Sequence, residues 1–176
     1  MENLKQTQRE VLLELKGMLD SLEVVNTLRE PEGRLPMPIL TTLHTNLGYQ
    51  GNEVMGEFYF LPLFAEKQDF HYFTVVMTLD EQVPMEKQEE MVKAANMLNY
   101  YLPMGAFVVE KDGGILAYKH AGLLPVSLDI EKLSFMADGM IGTAMSMVNE
   151  YVDPFMQLLN GQITLDEFEL ELPDVN

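Results

Sequence analysis

The sequence predicts a single α+β domain, with an antiparallel sheet packed with helices in the order α-β-β-β-α-β-β-α. Three observations lead there. Apolar residues recur at three- and four-residue steps in three stretches, and at steps of two in the stretches between. An Asp112-Gly113 pair sits between two apolar runs, the signature of a tight hairpin. The 176 residues, 47% of them hydrophobic, suffice for one core and point to one domain.

Leu4, Val11, Leu12, Leu15, Met18, Leu19, Leu22 and Val25 mark one face of a first helix, expected from about Asn3 to about Leu28. Pro31 pushes Glu30 out of the helical region, so the helix stops there and a loop follows through Pro36 and Pro38. Ile39, Thr41, Leu43 and Thr45 alternate with Leu40, Thr42 and His44, which predicts a strand. After a turn at Leu47-Gly48-Tyr49-Gln50-Gly51-Asn52, Val54 to Phe64 and Phe70 to Leu79 read as two more strands. The polar loop Ala65–Asp69 joins them as a hairpin. In the last strand His71, Phe73, Val75, Met77 and Leu79 share one face, and Phe70, Tyr72, Thr74, Val76 and Thr78 the other. Neither face is fully polar, so both are expected to be partly covered.

Pro84 suits the first turn of a second helix to about Tyr101, with Met91, Ala94, Ala95, Leu98 and Leu102 apolar and Pro103 and Gly105 ending it. Ala106 to Tyr118 forms the hairpin, with a two-residue type I′ turn expected at Asp112-Gly113. Asp129 is an N-cap for a long third helix, Ile130 to about Asn160, with Gly161 as its stop. Pro154 should kink that helix, or Asp153 should restart it as a cap. Thr164-Leu165-Asp166-Glu167 matches a capping box for a final short turn.

The charge is one-sided. With 28 Asp and Glu against 11 Lys and Arg, the formal net charge is −17. That balance opposes nucleic-acid and anionic-membrane binding, which both need a basic footprint. Lys132 is the last basic residue, and eight acids follow it. Such an end is usually a solvated face or tail; it can also keep an apolar binding protein soluble or meet a basic partner segment. The absence of cysteine excludes disulfides, thiolate metal sites and thiol nucleophiles. The first residues carry no apolar leader, and no run of about 18 apolar residues is present, so a cytoplasmic location is expected.

A search for chemistry finds none. His44, His71 and His120 fall on different strands or strand ends, without ligand-pair spacing, so no metal site is expected. Gly161 to Phe168 imitates the back half of an EF-hand loop, but Met156 and Leu158 stand where the leading oxygen ligands belong. No serine has nucleophile-elbow surroundings. Gly139-Met140-Ile141-Gly142 lacks the ending of a phosphate loop and falls within a helix, where its two glycines would let a neighbour approach. No catalytic residue and no cofactor are expected.

Methionine is more informative. Five of the 14 methionines, Met136, Met140, Met145, Met147 and Met156, lie in the third helix. Its apolar residues cover an arc of roughly 160°, wider than the ~100° that one sheet contact requires. Either the helix is well buried, or one edge forms an adaptable interface, for which unbranched, polarizable methionine is suited. The interface residues expected are Met136, Met140, Met147 and Tyr151. A small-molecule pocket lined by Phe58, Phe60, Phe73 and Tyr72 is the competing expectation.

Ala95-Asn96-Met97-Leu98-Asn99, the hairpin Gly105 to Tyr118 with its Asp112-Gly113-Gly114 turn, Asp129, and the helix closing at Leu158-Leu159-Asn160-Gly161 resemble the YbjN-like family of bacterial sensory-transduction regulators. More broadly they resemble the type III secretion chaperone-like fold. The likeness spans residues 1–161 and leaves 162–176 as an acidic C-terminal tail. The Met-rich last helix and that tail depart from the family pattern. The resemblance implies a non-enzymatic α+β domain, commonly dimeric. The expected function is therefore protein interaction, chaperone-like or regulatory, by a homodimer that binds a client segment through an apolar surface. The alternative is a small-molecule-sensing regulatory domain with a pocket between sheet and helices.

Overall fold

The computed structural model describes residues 2–33, 36–62, 69–110 and 113–172. The elements are α1 (Glu2–Ser21), β1 (Val25–Arg29), β2 (Ile39–Leu47), β3 (Asn52–Phe60), β4 (Phe70–Asp80), α2 (Met85–Asn99), β5 (Ala106–Val109), β6 (Leu116–Pro125), α3 (Ile130–Leu159) and α4 (Leu165–Leu170). The expected class is what forms: a single α+β domain with helices on an antiparallel sheet. The sheet has six strands, in the order β1-β2-β3-β4-β6-β5.

The strand that the sequence reading missed is β1. It pairs antiparallel with β2, Val25 opposite Leu43 and Arg29 opposite Ile39. Helix α1 ends at Ser21 rather than near Leu28, and its closure explains why. The Val24 N–H reaches the Leu19 carbonyl at 3.0 Å and the Glu23 N–H reaches Asp20 at 3.1 Å, the two bonds of a Schellman motif. Glu23 takes the left-handed position, φ 58°, that glycine usually marks. Leu22, Val25 and Leu28 continue the helical spacing by chance, and Leu22 and Val25 are exposed.

The β5–β6 hairpin forms in register, Ala106 opposite Lys119 and Val109 opposite Leu116. Its turn is wider than the two residues expected. The Gly114 N–H bonds back to the Glu110 carbonyl at 2.7 Å, and φ at Gly114 is +69°. Asp112 itself lies outside the described residues, as does most of the expected Ala65–Asp69 loop.

Helix α3 runs unbroken through Pro154. Asp129 caps it, its Oδ1 accepting the Lys132 N–H at 3.0 Å. A second Schellman closure ends it, Gln162 N–H to Gln157 carbonyl at 2.8 Å, with Gly161 at φ +68°. The expected capping box is present at Thr164 and Glu167. Residues 165–170 are therefore helix α4, and its Phe168 is fully buried, so this stretch of the acidic end is packed rather than trailing.

The chain packs as two compact units. In unit 1 (1–44, 55–76 and 120–143), Val11, Leu12 and Leu15 of α1, Phe58 and Phe60 of β3, Phe73 of β4 and Leu133, Ala137 and Ile141 of α3 are buried. In unit 2 (45–54, 77–119 and 144–176), the core is a row of rings. Tyr118 meets Phe107 at 5.1 Å, Phe107 meets Phe155 at 4.7 Å, and Phe155 meets Phe168 at 5.1 Å.

Candidate interaction surface

The faces of the sheet in unit 1 follow from a few contacts. A Cβ on Gly56 would strike the Thr42 hydroxyl and the Phe58 ring, so residues 42, 56 and 58 share a face. Phe60 meets His71 at 5.6 Å and Phe73 at 5.0 Å, which brings 71 and 73 to it. The Val126 N–H bonds the Asp69 carbonyl at 3.0 Å, and in an antiparallel ladder a bonded pair is directly opposite. Counting inward sets His71 opposite Leu124 and Tyr72 opposite Leu123.

The helices of unit 1 lie on the His71 face. Gln8 of α1 contacts His71 Nδ1 at 3.2 Å, and Met140 of α3 fills the space beside Gly122. The other face takes the alternate residues and is mixed, with apolar side chains among Thr27, Arg29, Thr41 and Glu57. Val25, Leu43, Phe70, Tyr72 and Leu123 are exposed there, with Met55 and Tyr59 half-buried. Tyr72 is 36% exposed and Leu123 is 51% exposed. Among the described residues the face carries one ion pair, Arg29 Nη2 to Glu57 Oε1 at 3.2 Å. An antiparallel sheet with one free face normally turns polar residues outward. Contiguous apolar area on a surface usually marks a binding site. The composition of β4 carried this signal, since its Phe70, Tyr72, Thr74, Val76 face is not polar; the contribution of β1 was hidden by its helical spacing.

The residues expected at an interface on α3 have mixed positions. Met136 is exposed, while Met140 is half-buried against Gly122. In unit 2, Met147 and Tyr151 are half-buried, with Tyr151 edge-on to Phe107 at 6.2 Å. The buried stripe of α3 is narrower than the expected arc. It steps through Leu133, Ala137, Ile141, Ala144, Val148, Val152 and Phe155, and the methionines flank it. A Cβ added at Gly139 or Gly142 would meet nothing within 4 Å among the described residues, so the close side-chain packing that the spacing predicted is not formed among them. Of the aromatic residues expected around a pocket, Phe58, Phe60 and Phe73 are packed in the core and Tyr72 lies on the opposite face.

The polar features outside this face do structural work. Asp153, 6% exposed, neither kinks nor restarts α3. It accepts the backbone N–H groups of Tyr49 at 2.5 Å and Gln50 at 3.3 Å, and the Asn52 amide at 2.6 Å. Asn149 accepts the Gly48 N–H at 3.0 Å, so α3 holds the β2–β3 turn. Asn99 at the end of α2 donates to the Phe107 carbonyl at 2.8 Å and accepts the Phe107 N–H at 2.7 Å. Phe107 lies on β5, which has β6 as its single neighbour in the sheet. Asn99 therefore stands where another strand would pair.

The histidines stay apart. His44 pairs with the Thr42 hydroxyl at 2.9 Å, and His71 with Gln8. Burial holds His44, His71 and His120 below the ordinary histidine pKa, because the charged ring is poorly solvated inside. Among the described residues no group of three His, Cys, Asp or Glu could hold a metal ion. No helix among them is long and apolar enough to cross a membrane. Comparison with protein families and with curated proteins gives no match.

Proposed function

We propose that this chain is a non-enzymatic protein-interaction domain, chaperone-like or regulatory, that binds a partner segment on the uncovered sheet face. The observation carrying the reading is the exposure of Tyr72 and Leu123 on a face where, among the described residues, Arg29 and Glu57 pair with each other. The partner is an amphipathic segment with basic residues. Its apolar side covers Phe70, Tyr72 and Leu123, and its charge suits a chain of net −17. The reading agrees with the likeness to YbjN-like regulators and secretion chaperones, and sets the protein in the cytoplasm. A second copy docks along α3 at Met136 and Met140, with Met147 and Tyr151 contributing from the later turns.

The test is native mass spectrometry of the protein purified from its own host, beside the Leu123→Glu variant. A discrete polypeptide carried by the wild type and lost from a folded variant supports the reading. The same polypeptide retained by both removes the sheet face from it, and a small bound mass in place of a polypeptide overturns it. For the second copy, sedimentation velocity of Met140→Glu with Met147→Glu should show a monomer; an unchanged dimer sinks the α3 assignment.

A further inference from the structure

We infer that unit 2 carries a docking socket for a short helix with one aromatic anchor, that α4 fills the socket in cis, and that a basic helix of the same shape displaces it. The site does not depend on the reading of the sheet face in unit 1. Phe168 is the one buried residue of α4; Leu165 is half-buried, and Leu170 is 83% exposed. The Phe168 ring meets Phe155 of α3 at 5.1 Å, and α2 packs against α4. The hydrogen bonds of this stretch close on itself. The Phe168 N–H reaches the Thr164 carbonyl at 2.9 Å, the Leu172 N–H reaches Glu169 at 3.2 Å, and the capping box joins Thr164 to Glu167. Among the described residues no hydrogen bond or ion pair joins 164–172 to the rest of unit 2. A six-residue helix does not persist alone, so one ring in a socket keeps α4 ordered. Elements held by few buried contacts are the first to open.

The helix in the socket also carries an unfavourable charge. Asp166, Glu167, Glu169 and Glu171 are exposed on α4 and its C-cap, in a chain of net −17. The neighbouring α2 offers them no cation. Its Lys87 pairs with Glu90 at 2.7 Å and its Lys93 with Glu89 at 2.8 Å. Apolar contact therefore docks α4 against the repulsion of like charge. A helix with the same ring, but with lysine in place of these acids, gains attraction where α4 meets repulsion. Recognition of an amphipathic helix by an anchor ring set into a groove is a common mode of peptide binding. The partner that fits is a protein segment of two helical turns, basic, with one phenylalanine at the position of Phe168.

The probe is a fluorescent peptide of residues 162–172 carrying D166K, E169K and E171K, followed by anisotropy with the full chain and with its Phe168→Ala variant. The variant, its socket open, should bind the peptide at least about tenfold more tightly than the wild type, where α4 competes. The same peptide with F168A added should bind neither chain. Equal affinity for both chains, binding of the F168A peptide, or no binding to a folded variant overturns the socket. If the variant does not fold, hydrogen exchange of the wild type decides. The amides of Glu167, Phe168 and Leu172 should exchange at least about a hundredfold faster than the buried amides of α3. Exchange of α4 together with α3 overturns the displacement.

Discussion

Asp153 Oδ2 accepts the backbone N–H of Tyr49 at 2.5 Å, joining the last two turns of a long helix to the tip of a hairpin more than a hundred residues earlier in the chain. The carboxylate is met by backbone and amide donors, the Tyr49 and Gln50 N–H groups and the Asn52 side chain. Removing it strands several donors at a buried place. Asp153→Ala should therefore cost about 3 kcal/mol of unfolding free energy, at the upper end for one unsatisfied buried site. Chemical denaturation measures this, and a loss below that of an exposed capping change such as Asp129→Ala would refute the clamp.

Glu23 offers the opposite sign. It holds a left-handed conformation that costs a side chain roughly 1 kcal/mol and glycine almost nothing. Glu23→Gly should raise stability by about 1 kcal/mol, less the entropy that glycine adds to the unfolded chain. A decrease in the denaturation midpoint would show that the α1 end is not closed in this way.

Gly105 tests close packing. At φ +67° a Cβ would strike the Tyr118 hydroxyl and lie 2.9 Å from the Lys119 carbonyl. Gly105→Ala should cost about 2 to 3 kcal/mol through combined strain and overlap. Tyr118→Phe removes only the bond from the hydroxyl to the Met104 carbonyl, 2.8 Å long, and should cost about 1 kcal/mol. Equal losses would mean that the ring, not the glycine, sets the geometry.

The histidines predict a pH dependence. Burial lowers the folded pKa of His44, His71 and His120 below the 6.5 at which they titrate when unfolded. Below that value the unfolded chain binds more protons than the folded one, so stability rises with pH through the window and levels off above it. Acidification from about pH 7.5 to about pH 5.5 should lower the denaturation midpoint. His71, 1% exposed, should carry a clear share of the slope. His71→Gln should flatten it, and an identical slope in the variant would assign the effect to carboxylates.

What was legible in the sequence was whatever depended on local rules. The Asp129 cap, the Thr164 capping box, the Gly161 stop and the period-two strands all follow from a residue and its near neighbours. What was not legible depended on distant partners or on an unusual residue in a usual place. Glu23 fills a position normally marked by glycine, so α1 read on through β1. Asn46, at φ 62°, interrupts β2, where burial runs Leu40, Thr42, His44 and then Leu47, as an inserted bulge residue does. Asp153 next to a proline looked like a helix cap because the turn it holds lies far away in the chain. The candidate surface was half legible: β4 showed an outer face that was not polar, while the opposition of Tyr72 and Leu123 needed the β4–β6 pairing that follows from the sheet order.

Asn99 has a consequence for assembly. Strands left bare at both ends of a sheet allow one molecule to stack on the next without limit, the route to fibres. Here the amide occupies the β5 border, so sheet-to-sheet growth is confined to β1. Asn99→Ala should reopen the second border, and light scattering of a concentrated sample should then show growth where the parent protein shows none.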